Sequence, residues 1–206
     1  GTPDKGASLA KWATAQGWVG IAPDYRVKNR YGTSPLESVA DSRKALQWVE
    51  EHASELGVDP NKIVVGGTSA GGHVALWTAI EHSPPGSDPS EAPKIKPMAL
   101  LLNSAVSDTS KATGYTPTRF GDHADALSVV HQVDTKMPPI LLIHGDADAL
   151  IPYSTAVALN QKLTAAGNIV EFVTVPGGTH GVPEWKEKIQ GLMKDFLVKQ
   201  NLLQSM

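Results

Sequence analysis

Short apolar runs alternate with amphipathic segments along most of the chain. The apolar runs predict buried strands at 18–23, 62–66, 97–102, 139–143 and 169–175. Between them, apolar residues recur at helical spacing, which predicts helices at 4–16, 35–56, 73–82, 154–166 and 183–199. Because strands alternate with helices, we expect an α/β fold with a mainly parallel sheet and helices on both faces.

Local signals support several of these boundaries. Ser34, Pro35 and Glu37 form a capping box with proline at the first helical position, and Gly57 ends that helix. The stretch 83–96 is rich in proline and serine, which predicts a surface loop. Residues 104–136 are polar and irregular, with a short helix expected at 124–130.

Composition limits the classes of protein to consider. The chain has 206 residues, enough for one domain with a sizeable core, and we treat 1–206 as a single domain. Its formal net charge is −3, and no basic stripe or long apolar run indicates a nucleic-acid or membrane partner. The sequence contains no cysteine (Cys 0), which excludes disulfides, thiolate nucleophiles and cysteine-based zinc sites.

The most informative motif is G-x-S-x-G, centred on Ser69. A strand-like run precedes it and a helix-like run follows it, which is the context of a nucleophile elbow, a sharp strand-to-helix turn that exposes a reactive serine. Such a turn needs small residues two positions before and after the serine. We therefore expect that a larger side chain at Gly67 or Gly71 would collide with the neighbouring strand or helix.

Candidate partners for Ser69 follow later strands. Asp146 and Asp148 both come after the strand at 139–143, and His180 lies in the glycine-rich loop after the strand at 169–175. A serine hydroxyl needs a base to remove its proton, and a carboxylate must orient that base. The order Ser, Asp, His therefore predicts a catalytic triad with His180 as the base, while either aspartate could supply the carboxylate. We expect His144 to order its loop and His73 to be structural.

A metal site is the alternative interpretation of one acidic segment. Asp122, His123 and Asp125 stand close together in the sequence, but their spacing does not fit a familiar site, and a surface loop is the simpler interpretation. No metal and no organic cofactor is predicted.

The motifs together resemble the esterase branch of the α/β-hydrolases that includes hormone-sensitive-lipase-like and bacterial feruloyl-esterase-like enzymes. The resemblance covers nearly the whole chain. It rests on the segments 24–26 (Asp-Tyr-Arg), 59–63 (Asp-Pro-Asn-Lys-Ile), 67–72 (Gly-Thr-Ser-Ala-Gly-Gly), 144–152 (His-Gly-x-x-Asp-x-x-Ile-Pro) and 180–181 (His-Gly).

The resemblance implies roles for individual residues. It implies that Asp148, the last residue of the HGxxD pattern, is the triad acid, and that the N–H of Ala70 donates to the oxyanion of the tetrahedral intermediate. It also implies a small or medium carboxylic ester as substrate, with carbohydrate-linked acetyl or feruloyl esters included. Dienelactone-hydrolase-type enzymes carry cysteine at the elbow and prolyl-oligopeptidase-type peptidases an aromatic residue after the serine, so neither pattern fits.

One family element is missing from the sequence. The second oxyanion donor of such enzymes comes from an HGG-type loop, and the resemblance places that loop and the first strands upstream of Gly1. We therefore expect a complementing N-terminal segment or pairing with another copy of the chain, and impaired activity for these residues alone. The alternatives to an esterase are a non-catalytic hydrolase fragment or binding module, and a peptidase of the same fold.

Overall fold

A parallel sheet forms the centre of the molecule. The computed structural model describes residues 2–88, 90, 93–133 and 137–203. The strands are β1 (Val64–Thr68), β2 (Ala99–Asn103), β3 (Ile140–Gly145) and β4 (Val170–Val175), which lie side by side in that order with every neighbouring pair parallel. The inner strands β2 and β3 are almost fully buried, whereas β1 and β4 are mostly half-buried, as edge strands are. Because the strands are parallel, their carboxyl ends meet at one edge of the sheet.

Helices cover both faces of the sheet, so the predicted fold class is confirmed. They are α1 (Pro3–Ala15), α2 (Lys28–Tyr31), α3 (Pro35–Glu51), α4 (Ala53–Leu56), α5 (Ala70–Trp77), α6 (Tyr153–Ala165) and α7 (Lys186–Lys199). One-turn 3₁₀ helices occur at Pro117–Arg119, Gly121–His123, Val129–His131 and Pro183–Trp185. The Oγ of Ser34 accepts the N–H of Leu36, so the predicted cap begins α3.

Alternate residues of the inner strands divide the interior into two cores. Leu100, Leu102, Ile140 and Leu142 pack with α3, α5 and α6 on one face. On the other face, the intervening strand residues pack against α7 and α1; this second core contains Ala99, Leu101, Leu141, Ile143, Met193 and Phe196, with Leu9 and Trp12 packed against it. The helix that follows Ser69 therefore lies on the opposite side of the sheet from α1 and α7.

The prediction of a strand at 18–23 is wrong. These residues lie outside the sheet, and Val19 and Ile21 are 49% and 40% exposed. A strand needs a hydrogen-bonded neighbour, and among the described residues β1 pairs only with β2. An apolar run alone does not supply that neighbour.

Other predictions hold with shifted boundaries. The strand predicted at 62–66 is β1, which extends to Thr68, and the helix predicted at 73–82 is α5, which ends at Trp77. The short helix predicted at 124–130 is reduced to the 3₁₀ turn Val129–His131. Parts of the predicted loops, residues 89, 91–92 and 134–136, lie outside the described residues. Within the described ranges, no helix combines the length and apolar character needed to cross a membrane.

A buried arginine fixes the end of α5. Arg43 of α3 is 3% exposed, and its guanidinium donates to the carbonyl oxygens of Trp77, Ile80 and His82 at 3.0, 3.1 and 2.8 Å. The last carbonyls of a helix lack acceptor partners within the helix, and a cation there also favours the helix dipole. Arg43 thus joins α3 to α5, the helix that begins directly after Ser69.

Candidate active site

Ser69 lies at the turn between β1 and α5 with an unusual backbone conformation. Its φ is 58° and its ψ is −124°, a region that residues other than glycine rarely adopt. The surrounding chain holds this conformation in place. The N–H of Ser69 donates to the carbonyl oxygen of Asn103 at 3.1 Å, and its own carbonyl accepts the N–H groups of His73 and Val106, both at 3.2 Å. The structure therefore contains the strained turn that the G-x-S-x-G motif predicts.

The glycines around Ser69 differ in their steric environment. A Cβ atom at Gly67 would lie 2.3 Å from the carbonyl carbon of Gly71, so this position needs glycine. A Cβ atom at Gly71 would have nothing within 4 Å, and the prediction of a collision there is wrong. The crowded helical position is Gly72, where a Cβ atom would lie 2.5 Å from the Cβ of Ala105. Close approach of α5 to the chain after β2 thus constrains Gly72 rather than Gly71.

Asp148 follows β3 and has a fully buried side chain. Its Oδ1 accepts the N–H groups of Leu150 and Ile151, both at 2.9 Å, and its Oδ2 lies 2.9 Å from Nδ1 of His180. Burial alone would raise the pKa of Asp148, but the hydrogen bonds from Ile151, His180 and Leu150 outweigh it and hold the pKa below its usual value. The carboxylate is therefore ionised at neutral pH despite its burial.

The two aspartates between which the sequence did not decide have different partners in the structure. Oδ1 of Asp146 accepts the N–H of Gly177 at 2.6 Å, so this exposed residue joins the loops after β3 and β4. Asp148, by contrast, contacts the imidazole of His180. Of these two aspartates, Asp148 is therefore the one that can orient His180, and its role as the triad acid stays a prediction.

His180 lies in the loop between β4 and α7, with 26% of its side chain exposed. Because its Nδ1 faces a carboxylate, Nδ1 carries the proton, which leaves Nε2 of the neutral ring as an acceptor. Within the described part of the chain, Nε2 makes no hydrogen bond, to Ser69 Oγ or to any other group. In enzymes without bound substrate such bonds are often long and close only when substrate binds.

Asn103 and Ser104 connect the loop of His180 to the turn of Ser69. Nδ2 of Asn103 donates to the carbonyl of Gly181 at 2.8 Å, while Oγ of Ser104 accepts the N–H of Gly181 at 3.0 Å. Asn103 also accepts the N–H of Ser69 through its main chain. The sequence analysis did not single out either residue. Their position at the carboxyl end of β2, between the strands that lead to Ser69 and to Asp148, could have indicated them.

Ala70 is the first residue of α5 and is exposed. The first N–H groups of a helix have no acceptor within the helix, and the helix dipole favours negative charge beside them. The N–H of Ala70 is therefore a suitable donor to an anion that forms next to Ser69.

Two buried histidines lie close to the candidate residues in the chain, His73 after Ser69 and His144 before Asp148. Nδ1 of His73 lies 3.0 Å from the carbonyl oxygen of Val106, and burial lowers the pKa of His73 to about 4. His144 is completely buried, and its Nε2 lies 3.0 Å from the carbonyl oxygen of Ile151. Burial also lowers the pKa of His144, so both rings are neutral near pH 7.

The acidic segment considered as a metal site takes part in loop contacts. Oδ1 of Asp125 accepts the N–H of Lys111 at 2.9 Å. Among residues 2–88, 90, 93–133 and 137–203, no group of three or more histidine and carboxylate side chains is arranged to hold a metal ion.

A cavity of about 280 Å³ lies on the α1 and α7 side of the sheet, next to the candidate residues. Gly67, Thr68 and Gly181, which neighbour Ser69 and His180 in the chain, form part of its wall. Apolar side chains that include Trp12 and Met193 form much of the remainder. Ser69, Asp148 and His180 themselves do not line this cavity.

Comparison with known proteins identifies the family. The sequence profile of the alpha/beta hydrolase fold matches residues 4–184. The chain belongs to the α/β-hydrolase family. Carboxylesterase NlhH of Mycobacterium tuberculosis is 42% identical over 190 residues, which cover 78% of this chain and 55% of the relative. Esterase LipC of the same organism is 27% identical over 202 residues, or 86% of this chain and 48% of the relative.

A solved esterase structure also superposes closely on this chain. The butyrate-bound structure of the esterase Est2 from Thermogutta terrifontis superposes with a TM-score of 0.88 at 29% identity, covering 100% of this chain and 81% of that chain. The chain spans about half the length of the curated relatives described above. Together, these relatives confirm the resemblance to the hormone-sensitive-lipase-like esterase branch of the family.

The contrast between Gly67 and Gly71 is testable. We expect Gly67→Ala to lower the free energy of unfolding by about 3 kcal/mol, because the added methyl group overlaps the backbone of Gly71. Gly71→Ala is the matched control and should leave stability unchanged or raise it by up to about 1 kcal/mol, since alanine favours the helix. Urea denaturation measures both values, and equal stability of the two variants would contradict the steric argument.

His73 should make folding stability depend on pH. The unfolded chain binds a proton at this residue below about pH 6.5, whereas the folded chain binds it only near pH 4, so stability falls as pH decreases through this window. At about 1.4 kcal/mol per pH unit, the wild type should lose about 2 kcal/mol more than His73→Asn between pH 7 and pH 5. Denaturant titrations at both pH values measure this difference. A pH dependence of His73→Asn equal to that of the wild type and of the exposed-site control His131→Asn would contradict the argument.

Proposed function

We propose that this chain is a serine carboxylesterase that hydrolyses small to medium carboxylic esters through Ser69, His180 and Asp148. The observation that carries the proposal is the 2.9 Å contact between His180 Nδ1 and the buried carboxylate of Asp148. Hydrogen bonds of Asn103 connect the loop of His180 to the turn of Ser69. The named relatives LipC and NlhH, an esterase and a carboxylesterase, support the same reaction class.

Acylation would begin with Ser69 and His180. Nε2 of His180 accepts the proton of Ser69 Oγ as the oxygen bonds to the carbonyl carbon of the ester. Electrons of the carbonyl double bond move to its oxygen, and the N–H of Ala70 donates a hydrogen bond to that oxyanion. When the tetrahedral intermediate collapses, the bond to the alkoxy group breaks and His180 gives its proton to the departing alcohol.

Deacylation repeats these steps with water. Nε2 of His180 takes a proton from water, whose oxygen bonds to the acyl carbon, and the proton then returns to Ser69 Oγ as the carboxylic acid leaves. In both half-reactions His180 is transiently cationic. The ionised Asp148 stabilises that cation and keeps the proton of the resting ring on Nδ1.

A short acyl or alcohol group fits this proposal. Structures of Est2, an esterase that superposes on this chain, contain bound propionate and butyrate. Est2 has also been solved phosphonylated by sarin. We therefore propose short-chain esters as the first substrates to test, with carbohydrate-linked acetyl or feruloyl esters as a second class that the same chemistry can cleave.

Hydrolysis of p-nitrophenyl butyrate by the purified chain tests the proposal. Ser69→Ala removes the nucleophile, so we expect kcat to fall roughly 10⁴-fold or more. Ser54→Ala, at an exposed position in α4, is the matched control and should retain wild-type kcat.

The same experiment distinguishes the alternatives. Equal hydrolysis by wild type and Ser69→Ala would contradict the proposal and favour a non-catalytic hydrolase fragment or binding module. The corresponding p-nitroanilide should be cleaved much more slowly than the ester. Faster cleavage of the anilide would instead favour a peptidase.

A further inference from the structure

A second histidine shares the carboxylate of Asp148. Nε2 of His144 lies 3.0 Å from the carbonyl oxygen of Ile151 and 3.3 Å from Oδ2 of Asp148, the oxygen that faces His180. The side chains of His144 and Asp148 are both 0% exposed. The proposed catalytic scheme gives this imidazole no role. Its ring is fully buried near the carboxyl end of β3.

The contacts of His144 define which nitrogen carries its proton. Nε2 faces two oxygen acceptors, whereas Nδ1 is buried without a hydrogen-bond partner among the described residues. Because burial keeps the ring neutral, it has one N–H, and that proton belongs on Nε2. His144 is therefore a donor toward Ile151 and presents the positive end of the same N–H group to Asp148.

The ring is also fixed in position by packing. It contacts Tyr153 edge to face with 6.0 Å between the ring centroids, and the hydroxyl of Tyr153 lies 2.6 Å from Oγ1 of Thr174 on β4. His144 itself belongs to β3, whose register pairs it with Thr174. The donor at Nε2 is thus anchored in the sheet, while Asp148 and Ile151 belong to the loop after it.

We propose that His144 is a positioning residue: its Nε2–H donates to the Ile151 carbonyl and lies beside the Asp148 carboxylate, which keeps Oδ2 directed at Nδ1 of His180. Ile151 then links the two side chains, because its carbonyl accepts the Nε2–H of His144 while its N–H donates to Oδ1 of Asp148. This closed arrangement fixes the carboxylate from the sheet side and leaves one direction open for His180. The role in turnover rests on the proposed esterase function, but the arrangement itself does not.

Only one of these two histidines takes up a proton in the proposed reaction. His144 and His180 face the same carboxylate oxygen, and a charge on either ring disfavours a charge on the other. Since His144 is enclosed and stays neutral, the partly exposed His180 is the ring that takes the proton from Ser69.

Two amide variants test the donor at Nε2. Glutamine can place its amide nitrogen near the position of Nε2, whereas the shorter asparagine places it near Nδ1. We expect His144→Asn to lower kcat for p-nitrophenyl butyrate by about 10-fold to 100-fold with KM little changed. The reason is that the variant loses the hydrogen bond that helps to orient the carboxylate of Asp148. His144→Gln should retain kcat within about 5-fold of wild type. Ser54→Ala, at an exposed position in α4, is the control and should match wild type.

Nuclear magnetic resonance of the imidazole groups provides a readout that does not depend on turnover. In the wild-type chain, ¹H–¹⁵N spectra should show the His144 proton on Nε2, and a protected Nδ1 proton on His180. We expect that His180 signal to be lost through exchange in His144→Asn and retained in His144→Gln. The wild-type spectrum alone decides the tautomer if a variant fails to fold.

The outcomes separate the two proposals. A wild-type His144 proton on Nδ1, or an unchanged His180 proton in His144→Asn, would overturn the positioning role. In a chain that hydrolyses the ester, equal kcat values for the asparagine and glutamine variants would overturn it as well. A chain that hydrolyses no ester, but shows the expected tautomer and the expected loss of the His180 signal, would support the positioning role and overturn the esterase function.

Discussion

The buried carboxylate of Asp148 is the interaction on which the candidate site depends. A charged group removed from water is costly unless other groups replace its hydration. Here two main-chain N–H groups bind Oδ1, and two imidazole rings approach Oδ2. These groups come from β3, from the loop after it and from the loop after β4. The need to satisfy one charge therefore joins separate parts of the chain at the carboxyl edge of the sheet.

A second constraint is the strained backbone at Ser69. A conformation with φ of 58° costs of order 1–3 kcal/mol in a residue other than glycine, and it persists only where the surroundings hold it. Main-chain bonds to Asn103, His73 and Val106 supply that support, and the absence of a side chain at Gly67 leaves room for the turn. Arg43 secures the far end of the same helix. The strain at the serine and the order of α5 are thus parts of one local structure.

Sequence patterns predicted the features that depend on local chemistry. Apolar runs located β1 to β4, and the G-x-S-x-G motif located the turn, because both signals are properties of short segments. The strand predicted at 18–23 did not form, since pairing depends on a neighbouring strand that no local pattern reveals. Likewise, Asn103 and Ser104 bind Gly181 from far away in the sequence, and the crowding at Gly72 arises from Ala105. The choice between Asp146 and Asp148 came from the family resemblance, and in the structure Asp148 is the one of the two that contacts His180.

The most direct measurement of the central claim is the rate at which a fluorophosphonate probe labels Ser69, compared between the wild type and Asp148→Asn. If Asp148 orients His180 to activate the serine, the wild type should be labelled at Ser69, and the variant should react about 10⁴-fold more slowly, since the amide favours the wrong tautomer of the imidazole. Equal labelling rates in the two proteins, or labelling of the wild type at another residue, would contradict the account.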